Sequence, residues 1–203
     1  MVTPMVDWLA ARRADVYQEH RTEVHDTITG TMLDIVLQYR PLPTVGRVLD
    51  VGCGQAVALE KFRDRGHWAI GMTLGSDDAN ACAAGGHRVV LMDQTFLGWH
   101  DEVFDMIWCR HALEHAVSPM WTLHQFHRCL RPDGTLYVEV PAPDTVAHHE
   151  RNGNHYSMFG RSAWRACLIR SGFQLVLDWD ITFPLPNLGG TDTYWSFTCM
   201  KKS

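Results

Sequence analysis

The stretch Arg47-Val48-Leu49-Asp50-Val51-Gly52-Cys53-Gly54-Gln55-Ala56 decides how the rest of the chain is read. An aliphatic run is interrupted by Asp50, two glycines bracket a tight turn, and a helical pattern follows over residues 57–64. That order is strand, glycine loop, helix. Glycine tolerates positive φ and lets a ligand approach the backbone, while the helix behind it offers unpaired N–H groups and the positive end of its dipole. The loop is therefore expected to receive an anionic group, although the same pattern also serves as a bare strand-to-helix turn. A dinucleotide fingerprint fits poorly. Its third glycine would fall at Val57, and no acid closes the next strand at Met72-Thr73. An acid just before the glycines suits a ligand with an ammonium group beside a carboxylate, as a free amino-acid end has.

Outward from this stretch the chain alternates strand and helix, which implies parallel βαβ units. The expected strands are 47–51, 67–72, 87–92 (followed by Asp93), 103–109, 135–140, 173–179 and 194–200. Helical patterns fall near 76–84, after Ser118-Pro119, and near 160–171, and Arg131-Pro132-Asp133-Gly134 turns the chain into the fifth strand. The Pro- and Gly-rich segment 183–192 reads as a long loop joining the last two strands in an antiparallel hairpin at the sheet edge. Before Pro41-Leu42-Pro43 two helical stripes appear, one through Val6, Leu9, Ala10, Val16 and Tyr17, the other through Met32, Leu33, Ile35, Val36 and Tyr39. They suit either helices packed on the sheet or a cap over a pocket. The expected fold is α/β and Rossmann-like. It is a seven-stranded, mostly parallel sheet with an antiparallel last strand, helices on both faces and an N-terminal helical cap. One domain covers 1–203, with the cap over 1–43, a ligand-binding core over 44–141, and substrate-side loops and the hairpin over 142–203.

With 203 residues, 46% hydrophobic and 20% charged, the chain has the size and composition of a globular domain. A net charge of −5 disfavours a general nucleic-acid binder, which needs a basic face. Six cysteines stand apart with no C-x-x-C pair, so reduced thiols are expected rather than a zinc knuckle or a disulfide framework. Asp7, Arg12 and Arg13 interrupt the first apolar pattern, which excludes a signal-peptide core there, and no apolar run is long enough to span a bilayer. A cytoplasmic protein with a small-molecule substrate, and neither nucleic acid nor membrane as partner, is the expectation.

Further stretches carry a family resemblance. Asp93 closes the third strand, Phe104-Asp105-Met106-Ile107-Trp108 forms the fourth, Ala112-Leu113-Glu114-His115 follows it, and Phe126 to Gly134 ends in Arg131-Pro132-Asp133-Gly134. With Val48 to Gly54, this series over 47–141 resembles the class I S-adenosylmethionine (SAM)-dependent methyltransferases, in particular their small-molecule, type-11-like members. The resemblance implies SAM as cofactor, held by Asp50, Gly52, Cys53, Gly54, Gln55, Met72, Thr73, Asp93, Gln94, Arg110 and His111. Asp93 would accept from the adenine amino group. Two positions depart from the pattern: Thr73 replaces an acid that holds the ribose hydroxyls, and Ala56 replaces a third glycine. Asp77 or Asp78 is an alternative for the ribose.

The chemistry asks little of such a protein beyond alignment of nucleophile, methyl carbon and sulfur, and exclusion of water. A hydroxyl acceptor also needs a base, for which histidine is suited. Residues 144–159 follow the carboxyl end of the fifth strand and hold His148, His149, Asn154, His155 and Tyr156. His155 is the expected base, with His115 next, and Tyr156 the group that orients the acceptor. A metal on His148, His149 and His155 is not expected, because hard cations want carboxylates and only Asp144 and Glu150 stand near. The function expected is methyl transfer from SAM to a small-molecule hydroxyl. The alternatives are a tRNA or rRNA methyltransferase, a non-catalytic SAM-binding or partner protein, and, more distantly, a dehydrogenase.

Overall fold

The computed structural model describes residues 3–12 and 21–202. The strands are β1 (Arg47–Val51), β2 (Trp68–Thr73), β3 (Val89–Leu91), β4 (Phe104–Arg110), β5 (Leu130–Pro141), β6 (Phe173–Leu185) and β7 (Gly190–Lys201). They form one seven-stranded sheet in the order β3-β2-β1-β4-β5-β7-β6. β7 alone runs against its neighbours, pairing antiparallel with both β5 and β6. The helices are α1 (Thr3–Arg12), α2 (Glu23–Tyr39), α3 (Val57–Asp64), α4 (Ser76–Ala84), α5 (Pro119–Cys129) and α6 (Arg161–Arg170).

Period-two alternation sends successive strand side chains to opposite faces, and both faces are covered. Val48, Met106, Trp108 and Tyr137 pack with Met32, Leu33 and Val36 of α2 and with Ala58 and Phe62 of α3. On the other face Leu49, Val51, Ile107, Cys109, Leu136 and Val138 meet Leu123 and Phe126 of α5 and Trp164 and Leu168 of α6. Trp108 and Tyr137 stack with ring centroids 3.9 Å apart. α2 begins where Thr22 Oγ1 accepts from the His25 amide at 3.2 Å, satisfying one of the helix's orphan donors. Its buried stripe puts α2 on the sheet's flank, so within the cap expected over 1–43 it is α1 whose Leu9 borders the cleft. Val16 and Tyr17 lie outside the described residues. No helix among the described residues is long and apolar enough to cross a membrane.

The hairpin departs from expectation. β6 and β7 pair continuously from Phe173↔Lys201 to Leu185↔Gly190, and the turn shrinks to a 3-10 segment, Pro186–Leu188. Pro184 marks a loop in most contexts, but β6 is an edge strand, where a missing N–H on the open side costs nothing. The fifth strand also starts early. Leu130 already pairs with Phe104, and the Arg131–Gly134 turn is absorbed as an irregularity of the ladder.

Gly71 of β2 shows how tightly the glycine loop is seated. A Cβ there would lie 2.6 Å from Cys53 Sγ and 2.8 Å from Leu59 Cδ1. Gly71→Ala is expected to destabilise the fold by about 1–3 kcal/mol through overpacking, read from urea unfolding. Unchanged stability would show that the loop yields freely to β2.

Candidate active site

The carboxyl ends of β1, β2 and β4 open onto one cleft of about 280 Å3. Gly52, Gly54, Met72, Thr73, Asp93 and Gln94 line it, and so do His111, His115, His149, His155, Tyr156 and Tyr194. Asp50, Cys53, Gln55 and Arg110 border an adjoining hollow of about 90 Å3 that shares Gly52, Gly54 and His111 with the cleft. The residues expected to hold the cofactor thus gather at one edge of the sheet, and those expected to act on the acceptor line the same cleft.

Gly52 and Gly54 adopt φ of 71° and 44°, the left-handed region that other residues enter only with strain. A Cβ on Gly52 would strike Ala112 Cβ at 2.8 Å, whereas nothing lies within 4 Å of one on Gly54. The second glycine therefore leaves the backbone open to an approaching group. Behind it Asp50 is 3% exposed, and its Oδ2 is buried with no hydrogen-bond partner. Burial pushes its carboxyl up to about 7, against the pull of Arg110. A buried carboxylate oxygen without a donor, beside an open glycine turn, fits a ligand that brings an ammonium group to the first and a carboxylate to the second.

Arg110 is itself held. It lies opposite Glu139 across the β4–β5 ladder, and its Nε donates to Glu139 Oε1 at 2.8 Å. His111 Nε2 is 2.8 Å from the same oxygen, and Tyr137 donates its hydroxyl to Oε2 at 2.6 Å. Burial alone would raise the Glu139 carboxyl, but Arg110, His111 and Tyr137 outweigh it and hold it at about 2. His111 leaves β4 with φ of 51°, and its amide donates to the Glu139 carbonyl at 2.9 Å. Glu139, read in the sequence as one residue of an ordinary strand, is the anchor of this corner.

At the end of β2, Thr73 is buried and its hydroxyl accepts from the Gly75 amide at 3.1 Å. Of the two alternatives after it, Asp77 is exposed, while Asp78 is 7% exposed and borders the cleft. Asp93 Oδ1 accepts from the Thr95 amide at 2.8 Å, and Gln94 Nε2 donates to the Ala112 carbonyl at 2.7 Å. Those bonds shape the loop after β3 around the cleft.

The acceptor side is built from two pieces bonded to each other. A 3-10 turn, Leu113–His115, follows β4, and Ser157 of the loop after β5 donates its amide to the Glu114 carbonyl at 2.9 Å and its hydroxyl to the Ala116 carbonyl at 2.7 Å. His115 Nδ1 lies 2.9 Å from the Asn154 carbonyl, which requires Nδ1–H and leaves Nε2 with its lone pair. The rings of His115 and His155 stand 4.9 Å apart. Burial first, then the neighbouring His115 and His149, push His155 down to about 4. Glu114, His115 and His155 offer ligand-type atoms within 4.8 Å of one another. His148, His149 and His155 do not converge: His148 is exposed and pairs with Glu150 at 3.0 Å, while His149 turns to Asp192.

Asp192 was not legible as a site residue. It is 3% exposed and accepts from Thr145 Oγ1 at 2.8 Å and from the Thr193 amide at 2.9 Å. His149 Nε2 lies 2.9 Å from Oδ2 and 3.1 Å from Oδ1. Burial alone would raise the Asp192 carboxyl, but the bonds from His149 and Thr145 outweigh it and hold it below its usual value. His149 thus carries its proton on Nε2 and keeps Nδ1 as its basic nitrogen.

An open glycine turn backed by a buried acid, at the carboxyl edge of this strand order, suits a ligand such as SAM that carries an ammonium group beside a carboxylate. Residues 17–177 match the family described as a methyltransferase domain, and the chain belongs to that family, whose cofactor is SAM. The chain is 26% identical over 101 residues to a ubiquinone biosynthesis O-methyltransferase of Klebsiella pneumoniae, covering 46% of this chain and 42% of that protein. It is also 26% identical over 158 residues to a malonyl-[acyl-carrier protein] O-methyltransferase of Enterobacter lignolyticus, covering 76% of this chain and 56% of that one. The chain therefore spans about half the length of these curated relatives. Among solved structures it resembles the Burkholderia thailandensis 1,6-didemethyltoxoflavin-N1-methyltransferase, with a TM-score of 0.66, 22% identity, and coverage of 88% of this chain and 78% of that one.

The Asp50 carboxyl gives the cofactor site a pH signature. A carboxyl at about 7 is mostly protonated at pH 6 and mostly ionised at pH 7.5. Only the ionised form attracts an ammonium group, so SAM affinity should rise as pH climbs through 7. Calorimetry is expected to show a gain of about 5- to 10-fold between those two pH values, lost in Asp50→Asn. Wild-type affinity that is flat over this range would place the ammonium elsewhere.

Proposed function

We propose that the protein transfers a methyl group from SAM to a hydroxyl oxygen of a small molecule bound between the glycine turn and the histidines of the 144–159 loop. The observation that carries this reading is the unpartnered Asp50 oxygen, buried beside the glycine turn in the hollow that adjoins the cleft, while a carboxylate-held histidine lines the cleft itself. The O-methyltransferase names of the two curated relatives support an oxygen acceptor. The net charge of −5 favours a small acceptor over RNA. When bound, SAM supplies an activated methyl group on its sulfonium sulfur.

The chain's own residues then have three tasks. Asp50 and the glycine turn fix the amino-acid end, and Asp78, with Thr73 beside it, takes the ribose hydroxyls in place of the acid missing from the end of β2. Tyr156 and His115 wall the acceptor so that its oxygen lies in line with the methyl carbon. With SAM bound, transfer of its methyl group to that oxygen would release the hydroxyl proton, which needs a base. His155, the base expected from sequence, is at about 4 and holds a proton poorly at neutral pH, where a base works best with a pKa near the medium. We therefore assign the proton to His149 Nδ1. Asp192 is the positioning residue, fixing the tautomer and stabilising the imidazolium that forms.

Two measurements check this assignment. His149→Ala should lower kcat by about 100-fold or more, and Asp192→Asn by about 10-fold or more, while the affinity for S-adenosylhomocysteine stays within about twofold. If both variants keep wild-type kcat, the proton leaves by another route. Asp78→Ala should weaken S-adenosylhomocysteine binding by about 10- to 100-fold, the worth of hydrogen bonds to a charged acceptor. An unchanged affinity would return the ribose to Thr73.

A further inference from the structure

We infer that Glu114, His115 and His155 form a binding site for one divalent transition-metal ion at the acceptor end of the cleft. Their ligand-type atoms lie within 4.8 Å of one another, a span that a single ion at its centre can bridge with bonds of about 2.0–2.2 Å after small side-chain adjustments. Glu114 is 2% exposed, so the carboxylate of the set lies in a water-poor part of the site. His115 shows the arrangement that metal-bound histidines adopt. One ring nitrogen donates to a backbone carbonyl, that of Asn154 at 2.9 Å, which fixes the ring's orientation and puts its proton on Nδ1. His155 has Asn152 Nδ2 3.3 Å from Nε2, while its Nδ1 is buried without a hydrogen-bond partner.

The site is also rigid. The turn that carries Glu114 and His115 is bonded to the loop that carries His155 through the Ser157 amide and hydroxyl and through the Asn154 carbonyl. The donor set names the ion's class. Two imidazoles and one carboxylate suit zinc, ferrous iron, cobalt or manganese, whereas magnesium and calcium prefer all-oxygen cages. Three protein ligands leave a coordination position open, the arrangement of catalytic rather than structural sites. An acceptor oxygen bound there would lose its proton more readily, which complements His149 as the group that receives it. That use of the ion rests on the methyl-transfer reading, but the binding of the ion does not.

The test uses the whole chain, stripped with a chelator and then titrated with Zn2+ or Co2+ in a calorimeter. One ion per chain is expected, and Co2+ should give the visible bands of a low-coordinate site. His155→Ala and Glu114→Gln should each weaken binding by about 100-fold or more, since even the outer partners of metal ligands are worth 10- to 100-fold. His148→Ala, at the exposed neighbour, should leave it unchanged. Retained S-adenosylhomocysteine affinity shows that a variant is folded, and His155→Ala carries the test if Glu114→Gln does not fold. Absence of stoichiometric binding to the wild type, wild-type affinity in His155→Ala, or a preference for Mg2+ would each overturn the assignment. A protein that binds the ion but not SAM would refute the proposed function and leave the metal site standing.

Discussion

A carboxylate buried behind a glycine turn is the constraint on which the rest of this structure depends. Asp50 sits at the end of β1 with one oxygen unpartnered, and an isolated buried charge is too costly to keep without compensation. The fold supplies part of that compensation from one side only. Arg110 pulls on Asp50 from β4, and Arg110 is fixed by Glu139, its cross-strand partner on β5. Glu139 in turn depends on the Tyr137 hydroxyl and the His111 ring. Three adjacent strands are thereby committed to one electrostatic arrangement, and its unfinished side faces the glycine turn. The arrangement leaves room for a cation at the turn to complete the pairing.

That dependence explains why the cofactor half of the site was legible in the sequence. Its residues lie within a few positions of strand ends that the alternation of apolar residues already marks, so Gly52, Thr73, Asp93 and His111 fall at the carboxyl edge once the strands are drawn. The acceptor half was legible only as a density of histidines. Which of them meet is decided by contacts between segments far apart in the chain, such as Thr145 with Asp192 and Asn154 with His115. Periodicity carries no information about such contacts. The choice between Asp77 and Asp78 is a smaller case: consecutive helical residues point about 100° apart, so only the helix's orientation on the sheet buries one and exposes the other.

The misjudged hairpin has the same origin. Proline and glycine in 183–192 are ordinary loop signals, and β6 alternates between half-buried and exposed side chains, a pattern too weak to mark a strand unaided. Pairing along β7 overrides those signals, since β7 is buried between two neighbours and supplies a full ladder to each. A strand that is poor by its own composition is thus held by the register of a good one.

The reversed direction of β7 is what makes the acceptor side possible. A strand parallel to β5 would bring its last residues to the carboxyl edge, and its connection onward would have to leave from there. β7 runs the other way, so its first residues arrive at that edge: Tyr194 pairs with Pro141, and the Ala142 amide donates to the Thr193 carbonyl at 2.9 Å. The hairpin therefore projects past the end of β5 and meets the loop that leaves it, with Gly190 packed so closely on Val146 that no side chain fits between them. Asp192 lies at that junction, and Tyr194 stacks on His111 at 4.2 Å between centroids. His111 after β4 and His149 after β5 are thus both held by residues at the start of β7. The antiparallel edge hairpin brings a buried acid to the loop after β5, and that acid fixes the ring of His149 where it lines the cleft.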